Sequence, residues 1–494
     1  MMRLPGGWPP AAVVACCALA TSLAFRLPTL AMLPPWGDEV LTLRSLDLPF
    51  WQLAAERLNQ MHAPTYFWLL QALGLDAGSL FLLRLPSALA DSLGAGLTAL
   101  VACRLGGWRA GLVLAFVYAA TPALLEEAQD ARPYGLFFGF LALLLCSAGR
   151  LVDHPRLAAL AWQPGAPLAA RALRWTWAAA ALAAVALASL LPLGLFALVA
   201  VDAAVLWRVR RRRRLVAPWL LHRLASLLLL APLLYAYATH VGRYAGNYWY
   251  DSGPRRLLRV LRVVDGAGVS WDPDRFLGDT GNRVLLVLFL LLVLLGLLWA
   301  RRRASLALAI ALAFGTQALL VAVSQHTSLY AARYFAIAAP ALSLFAALGL
   351  AGLWQRWPRP ALPLGLVFAV LLFLQSLDAM HQLGKPRLDL AVERLRAAGI
   401  ERLGIHSARE PMIASVLYTL DGKVEGIELS PWQVLLAARQ GLVVWLLHLR
   451  PIDPLWPRLA ERAGLLSCAP AVRPLYILAI AARAEDLRAS CPPR

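Results

Sequence analysis

Long apolar runs broken by short polar interruptions dominate the chain. A bilayer's hydrocarbon core asks for roughly 20 apolar residues per helical crossing. That rule predicts eleven transmembrane helices, near 11–33, 83–103, 110–125, 134–149, 176–190, 193–207, 216–235, 284–300, 304–323, 335–354 and 361–378. The 176–207 block is too long for one crossing. Leu191-Pro192-Leu193-Gly194 divides it into a tight hairpin, because proline lacks the N–H that a helix interior needs. The pattern changes at about residue 380. Asp389 to Ala398 has helical periodicity, Leu403-Gly404-Ile405 reads as a short strand, and Glu410 to Leu420 suits a helix. Leu442 to Leu447 and Leu475 to Ile480 suit buried strands. Alternating helix and strand predicts a small α/β domain. The expected organisation is an all-α polytopic membrane domain over 1–380 and an α/β domain over 381–494.

Composition agrees with that picture. Of the 494 residues, 60% are hydrophobic and 15% charged, against roughly 45–50% and about 25% in soluble domains. An ordinary soluble enzyme, a disordered chain and a coiled coil are excluded. The net charge of +19 comes largely from arginines clustered between apolar blocks: Arg208 with Arg210 to Arg214, Arg301 to Arg303, and Arg356 with Arg359. Such runs anchor spans on the cytoplasmic side, so the charge describes topology and no nucleic-acid partner is expected. With the N-terminus in the cytoplasm, every arginine run falls on one side. The opposite side receives loops 34–82, 126–133, 236–283 and 324–332 and the tail. The first apolar stretch has no small-residue cleavage motif and reads as an uncleaved span. The expectation is a multi-pass protein of the plasma (inner) membrane with an extracytoplasmic C-terminal domain. Four cysteines (16, 17, 103 and 146) lie in or beside spans, whereas Cys468 and Cys491 lie in the exported tail, where a disulfide is allowed.

The unusual polar residues gather in the external segments. Pro34-Pro35-Trp36-Gly37-Asp38-Glu39 sets two carboxylates directly after the first span. A carboxylate there serves as a general base when desolvation tunes it, or as a helix cap. Met61-His62-Ala63-Pro64-Thr65-Tyr66-Phe67-Trp68 reads either as an aromatic interfacial belt or as a histidine facing a site, as hydrogen-bond donor or metal ligand. Glu126-Glu127-Ala128-Gln129-Asp130-Ala131-Arg132-Pro133-Tyr134 packs acids, an arginine and a tyrosine between two spans. A fixed guanidinium beside the bilayer suits a phosphate, gripped bidentately. The alternative is an ion pair with Glu126 or Asp130. Tyr330-Ala331-Ala332-Arg333-Tyr334-Phe335 adds a second external arginine, either a phosphate clamp with Arg132 or a snorkelling contact to lipid headgroups.

The order Gly-Asp-Glu, His-x-Pro-x-Tyr, Gln-Asp-x-Arg-Pro-Tyr and Arg-Tyr-Phe resembles the GT-C membrane glycosyltransferases. The similarity is to the protein O-mannosyltransferase and aminoarabinose transferase branch, and it covers roughly 30–380, including the Arg84-Leu85-Pro86-Ser87-Ala88 entry to span two. The resemblance implies a hexosyl- or pentosyltransferase that takes its sugar from a polyprenyl-phosphate donor on the external face. The acceptor would be a hydroxyl of a cell-envelope glycan, lipid or protein. It also implies Asp38 as general base, with inversion in a single displacement, and Asp130, Glu39 and His62 as further site residues. Arg132, Tyr134, Arg333 and Tyr334 would hold the donor phosphate. Charge stabilisation of the leaving phosphate falls to Arg132, Arg333 or a divalent cation, the latter held by carboxylates or shared with His62.

The chain departs from the family in carrying Asp130 where glutamate is usual, Ala63 in place of a first proline, and Leu190-Leu191-Pro192-Leu193 where relatives show a histidine-tyrosine pair. Aromatics from Tyr244 to Tyr250 suit stacking on sugar or prenyl groups, or an interfacial belt, and Asp272-Pro273-Asp274 with Asp279 has no EF-hand spacing. Asp91 and Asp202 fall inside spans, where a carboxylate is a functional candidate; the alternative for Asp91 is a pair with Arg84, seven residues earlier on the same helical face. The competing reading of the whole chain is a transporter or flippase for a lipid-linked saccharide. That reading favours midplane polar groups and repeated halves, neither of which stands out here.

Overall fold

The computed structural model describes residues 10–244, 278–324, 332–380, 388–407, 420, 424–448 and 455–491, scattered positions within those ranges aside. The chain divides into two compact units, Met1–Leu30 with Leu48–Met380, and Ala31–Asp47 with His381–Arg494.

The first unit is a bundle of apolar helices. Among the described residues, nine helices are long and apolar enough to cross a membrane. A tenth crossing is made if α6 (Trp108–Ala120) and α7 (Pro122–Ala128), which bend by 59° at their junction, form one span. The protein is a multi-pass membrane protein. The bend has a local cause. Thr121 is extended at ψ 116°, and Pro122 cannot donate the helical hydrogen bond that would carry α6 onward. The remaining expected span, Leu193–Val209, is a helix of 17 residues. At about 1.5 Å per residue it is ~26 Å long, a few ångströms short of a full hydrocarbon core. The hairpin before it forms where expected: the helix Leu173–Leu190 stops at an extended Leu191, and Pro192 opens the next. Two boundaries shift. The helix expected over 216–235 continues to Tyr244, and the first span, α1 (Pro10–Arg26), ends in a tight 3₁₀ turn at Leu27–Thr29.

Helices α1, α5 (Leu80–Gly106), α6 and α8 (Tyr134–Asp153) pack on one another. A second group centres on Ala339–Arg356, the most enclosed span, which crosses Gly278–Trp299 at Gly296 and Gly349. A Cβ on either glycine would run into a backbone carbonyl of the facing helix, Phe345 or Leu292, so this approach requires two glycines. Leu221, Leu229, Leu298 and Leu366 are more than half exposed, as side chains facing lipid are. Asp91 does not pair with Arg84. Its carboxylate binds Arg26 of α1 at 2.5 Å, and Arg84 instead donates to the Leu30 carbonyl at 2.8 Å. The reason is packing. Helix α1 brings a guanidinium against the buried face of α5, while the turn after α1 offers Arg84 a carbonyl. Asp202 is likewise paired, with Arg223 at 2.8 Å.

The polar segment after α1 holds three short helices: α2 (Gly37–Leu46), α3 (Phe50–Asn59) and α4 (Thr65–Ala72). The expected features at Tyr330-Ala331, Asp272 to Asp274 and Asn247 to Tyr250 lie outside the described residues.

The tail folds as the expected α/β structure. Its sheet runs in the order β2 (Glu425–Glu428), β1 (Arg402–Ser407), β3 (Val443–His448), β6 (Leu475–Ala481) and β4 (Leu466–Cys468), with β5 (Ala471–Val472) also on β6. Strands β2, β1 and β3 are parallel; β6 is antiparallel to β3, and β4 to β6. Side chains alternate between faces, so the sheet has two cores. Leu403, Ile405, Trp445 and Ile477 meet the helix Leu388–Ala397 on one face, while Val444, Leu446, Leu478 and Ile480 meet Val434 and Ala438 on the other. The helix expected over Glu410 to Leu420 lies outside the described residues except at Leu420. Cys468 and Cys491 form a disulfide, with Cα atoms 6.3 Å apart.

Candidate functional site

Two loop segments of the membrane unit converge on Arg132. The turn 129–133 links the end of α7 to the start of α8, which Pro133 caps, and this leaves Arg132 between helices instead of inside one. Its side chain is only 3% exposed, and Nη2 lies 3.3 Å from Nε2 of His62. A guanidinium carries only donors, so His62 accepts through Nε2 and keeps its ring proton on Nδ1. His62 sits just before Pro64, the cap of α4, and its backbone N–H is tied back to the Arg57 carbonyl at 2.8 Å. Both partners are therefore held by backbone structure.

The turn itself is fastened at two points. The Gln129 amide, fully buried, donates to the Arg26 carbonyl at 3.3 Å and to Thr29 Oγ1 at 2.7 Å. At the other end, Ser87 Oγ of α5 donates to the Arg132 carbonyl at 2.9 Å and lies 3.2 Å from the Tyr66 hydroxyl of α4. Below the turn, the Arg26–Asp91 pair is joined by Tyr118, whose hydroxyl donates to the second Asp91 oxygen at 3.0 Å. Asp130, in the same turn, is also buried, and Tyr134 opens α8 with its ring enclosed in the apolar core.

The structure thus brings together His62 and Arg132, with Asp130 and Tyr134 on the same short stretch. Asp38 and Glu39 belong to the other unit, in the first turn of α2. Helix α2 starts at Gly37, so both acids stand inside the helix instead of capping it. Glu39 is fully buried, Asp38 half-buried. Arg333 lies on the short helix Ala332–Phe335, its side chain outside the described residues; the half-buried Tyr334 beside it packs on the membrane core. Among the described residues no group of three His, Cys, Asp or Glu side chains is arranged to hold a metal ion. The Nε2 lone pair of His62 faces Arg132.

Two residues of this neighbourhood escaped sequence reasoning. Ser87 stood only as part of a span entry. Arg57, 2% exposed with its guanidinium 5.2 Å over the Phe67 ring, passed unnoticed. Its signal was present: Leu53, Ala54 and Arg57 share the buried face of α3, which places a charge in an apolar stripe.

No protein-family model matches the chain, and no curated protein matches it. Solved structures do. ArnT from Cupriavidus metallidurans bound to undecaprenyl phosphate aligns over 94% of this chain and 97% of its own, at 15% identity and TM-score 0.51. The same protein in the apo state gives 95%, 98%, 15% and 0.52. The Archaeoglobus fulgidus oligosaccharyltransferase in complex with Zn and sulfate aligns over 85% of this chain and 62% of its own, at 12% identity and TM-score 0.54. Likeness at such low identity speaks for architecture, and on that ground the chain has the GT-C fold of membrane glycosyltransferases.

Proposed function

We propose that the protein is an inverting membrane glycosyltransferase that moves a sugar from a polyprenyl-phosphate donor to an acceptor hydroxyl at the extracytoplasmic face. Arg132 carries the reading: a buried arginine on a short turn between membrane helices, oriented by His62 and by its own fastened backbone. A guanidinium held in a fixed orientation at the end of a membrane helix is suited to grip a phosphate with two parallel N–H donors. The fold is shared with ArnT, whose structure holds undecaprenyl phosphate. The disulfide supports an exported tail, because such bonds persist in oxidising compartments.

In this mechanism the Asp38 carboxylate accepts the proton of the acceptor hydroxyl. The acceptor oxygen bonds to the anomeric carbon from the face opposite the phosphate, and the bond from that carbon to the phosphate oxygen breaks. The leaving group is polyprenyl phosphate, already a stable anion, so it needs charge stabilisation more than a strong acid. Arg132 and Arg333 supply that charge, Tyr134 and Tyr334 flank them, and Glu39 and Asp130 support the acceptor and Arg132. The protein would serve a cell-envelope glycan, lipid or protein as acceptor. The test is release of polyprenyl phosphate from a panel of radiolabelled polyprenyl-phosphate sugars, by purified protein in lipid with envelope extracts as acceptor. Release that disappears in Asp38→Asn supports the reading. No release from any donor, with lipid-linked saccharide still bound, points to the transporter or flippase.

A further inference from the structure

The hydroxyl of Ser87 has one proton, and the geometry spends it on the Arg132 carbonyl, 2.9 Å away. The 3.2 Å contact between Ser87 and Tyr66 must then run the other way, with Tyr66 donating to the Ser87 oxygen. The result is a directed chain, Tyr66 O–H to Ser87 O–H to the Arg132 carbonyl. Tyr66 and Ser87 are fully buried, so each bond forms out of water, and bonds in series polarise one another. Tyr66 is on the same short segment as His62, the residue that meets the Arg132 side chain. Arg132 is thus held twice by one stretch of chain, at its guanidinium through His62 and at its carbonyl through Ser87 and Tyr66.

Packing limits this place to a small hydroxyl. Gly135, three residues after Arg132, lies so close to α5 that a Cβ on it would strike the carbonyl and Cβ of Ser87. Helices α5 and α8 therefore meet at Ser87, where a larger side chain would push away the turn that carries Arg132. We infer that Ser87 is a positioning residue, which relays the placement of α4 to Arg132 and so sets the affinity of the site for the donor phosphate. The inference rests on the reading of Arg132 as the phosphate-binding cation.

The test compares binding of undecaprenyl phosphate with that of uncharged undecaprenol by the purified full chain in lipid nanodiscs. The ratio of the two affinities isolates the phosphate from the prenyl tail. Wild type is expected to prefer the phosphate strongly, and Arg132→Ala to erase the preference. Ser87→Ala should lower it by about two- to tenfold, the span covered by one net hydrogen bond. Ser87→Ala placed on Arg132→Ala should lower it no further, because Ser87 acts only through that side chain. Tyr66→Phe, which removes the donor into Ser87, should give a smaller loss and carries the test if Ser87→Ala does not fold. Full preference in Ser87→Ala and Tyr66→Phe, with Arg132→Ala impaired, would overturn the inference alone, as would losses that simply add. A wild type without any preference for the phosphate would overturn the Arg132 reading, and the inference with it.

Discussion

Arg26 and Asp91 meet at 2.5 Å inside the helix bundle, with neither side chain exposed. Helices α1, α5 and α6 are joined there, because Tyr118 of α6 donates to the same carboxylate. The pair lies beneath the turn that carries Arg132, and the Arg26 carbonyl receives the Gln129 amide. Removing one charge leaves the other buried and uncompensated, which typically costs about 3–5 kcal/mol. Asp91→Asn is expected to lower the thermal melting point and the membrane abundance sharply. Arg26→Met combined with Asp91→Leu should recover most of that loss. A single variant that melts with wild type would show that the pair contributes nothing to stability.

Asp38 is the proposed base, and its place in the first turn of α2 decides what its substitution tests. Near a helix N-terminus a carboxylate is also favoured by the helix dipole, by roughly 0.3–1 kcal/mol. Asp38→Asn keeps the shape and loses about that much stability, while turnover should fall by roughly 100- to 10,000-fold, the usual weight of a general base. Single-turnover transfer measured alongside a melting curve separates the two effects. Near-normal turnover in a folded Asp38→Asn protein would remove Asp38 from the base role.

Arg132 offers a fork as well as a charge. Lysine keeps the charge and loses the planar pair of donors, so Arg132→Lys should raise the apparent donor KM by about tenfold, and Arg132→Ala by more. The acceptor KM should stay within about twofold in both, since the proposed contact is to the donor alone. Equal effects on the two substrates would place Arg132 in general architecture.

Much of this molecule is legible in its residues, and the reason is physical. In a bilayer each crossing must satisfy its own backbone, so an apolar run announces a helix, as residues 134–149 did for Tyr134–Asp153. Pro192 likewise marked the hairpin. Partners on other helices leave no such local mark. The spacing of seven residues made Arg84 look like the counter-ion of Asp91, whereas packing supplied Arg26. The short strands β2 and β4 were missed for a related reason: Glu-Gly-Ile-Glu and Leu-Ser-Cys at the sheet edges carry no apolar alternation. At the site, the residue types in each motif suggested the chemistry. The meeting of His62 with Arg132, 70 residues apart, and the fastening of that arginine by Ser87 are tertiary facts.

The disulfide turns the membrane topology into a chemical prediction. Cys468 ends the edge strand β4, and Cys491 follows the last helix, Ala484–Ser490, so the bond pins that helix to the sheet. It closes a loop with a sequence separation of 23, for which loop-closure entropy suggests roughly 3 kcal/mol of stabilisation. Cys468→Ser with Cys491→Ser should therefore loosen the tail, seen as faster proteolysis of residues beyond 380. The membrane helices should melt as before, since none of their cysteines takes part. The same bond reports the side on which the tail stands, because cytosolic reductants keep thiols free. In intact cells the tail cysteines should be oxidised, and the single variant Cys468→Ser should expose Cys491 to a membrane-impermeant maleimide added outside. Free thiols in the wild type, shielded from that reagent until the cells are opened, would put the tail in the cytoplasm. The same result would reverse the orientation of every span, and it would take Asp38 and Arg132 off the outer face where the proposed donor is met.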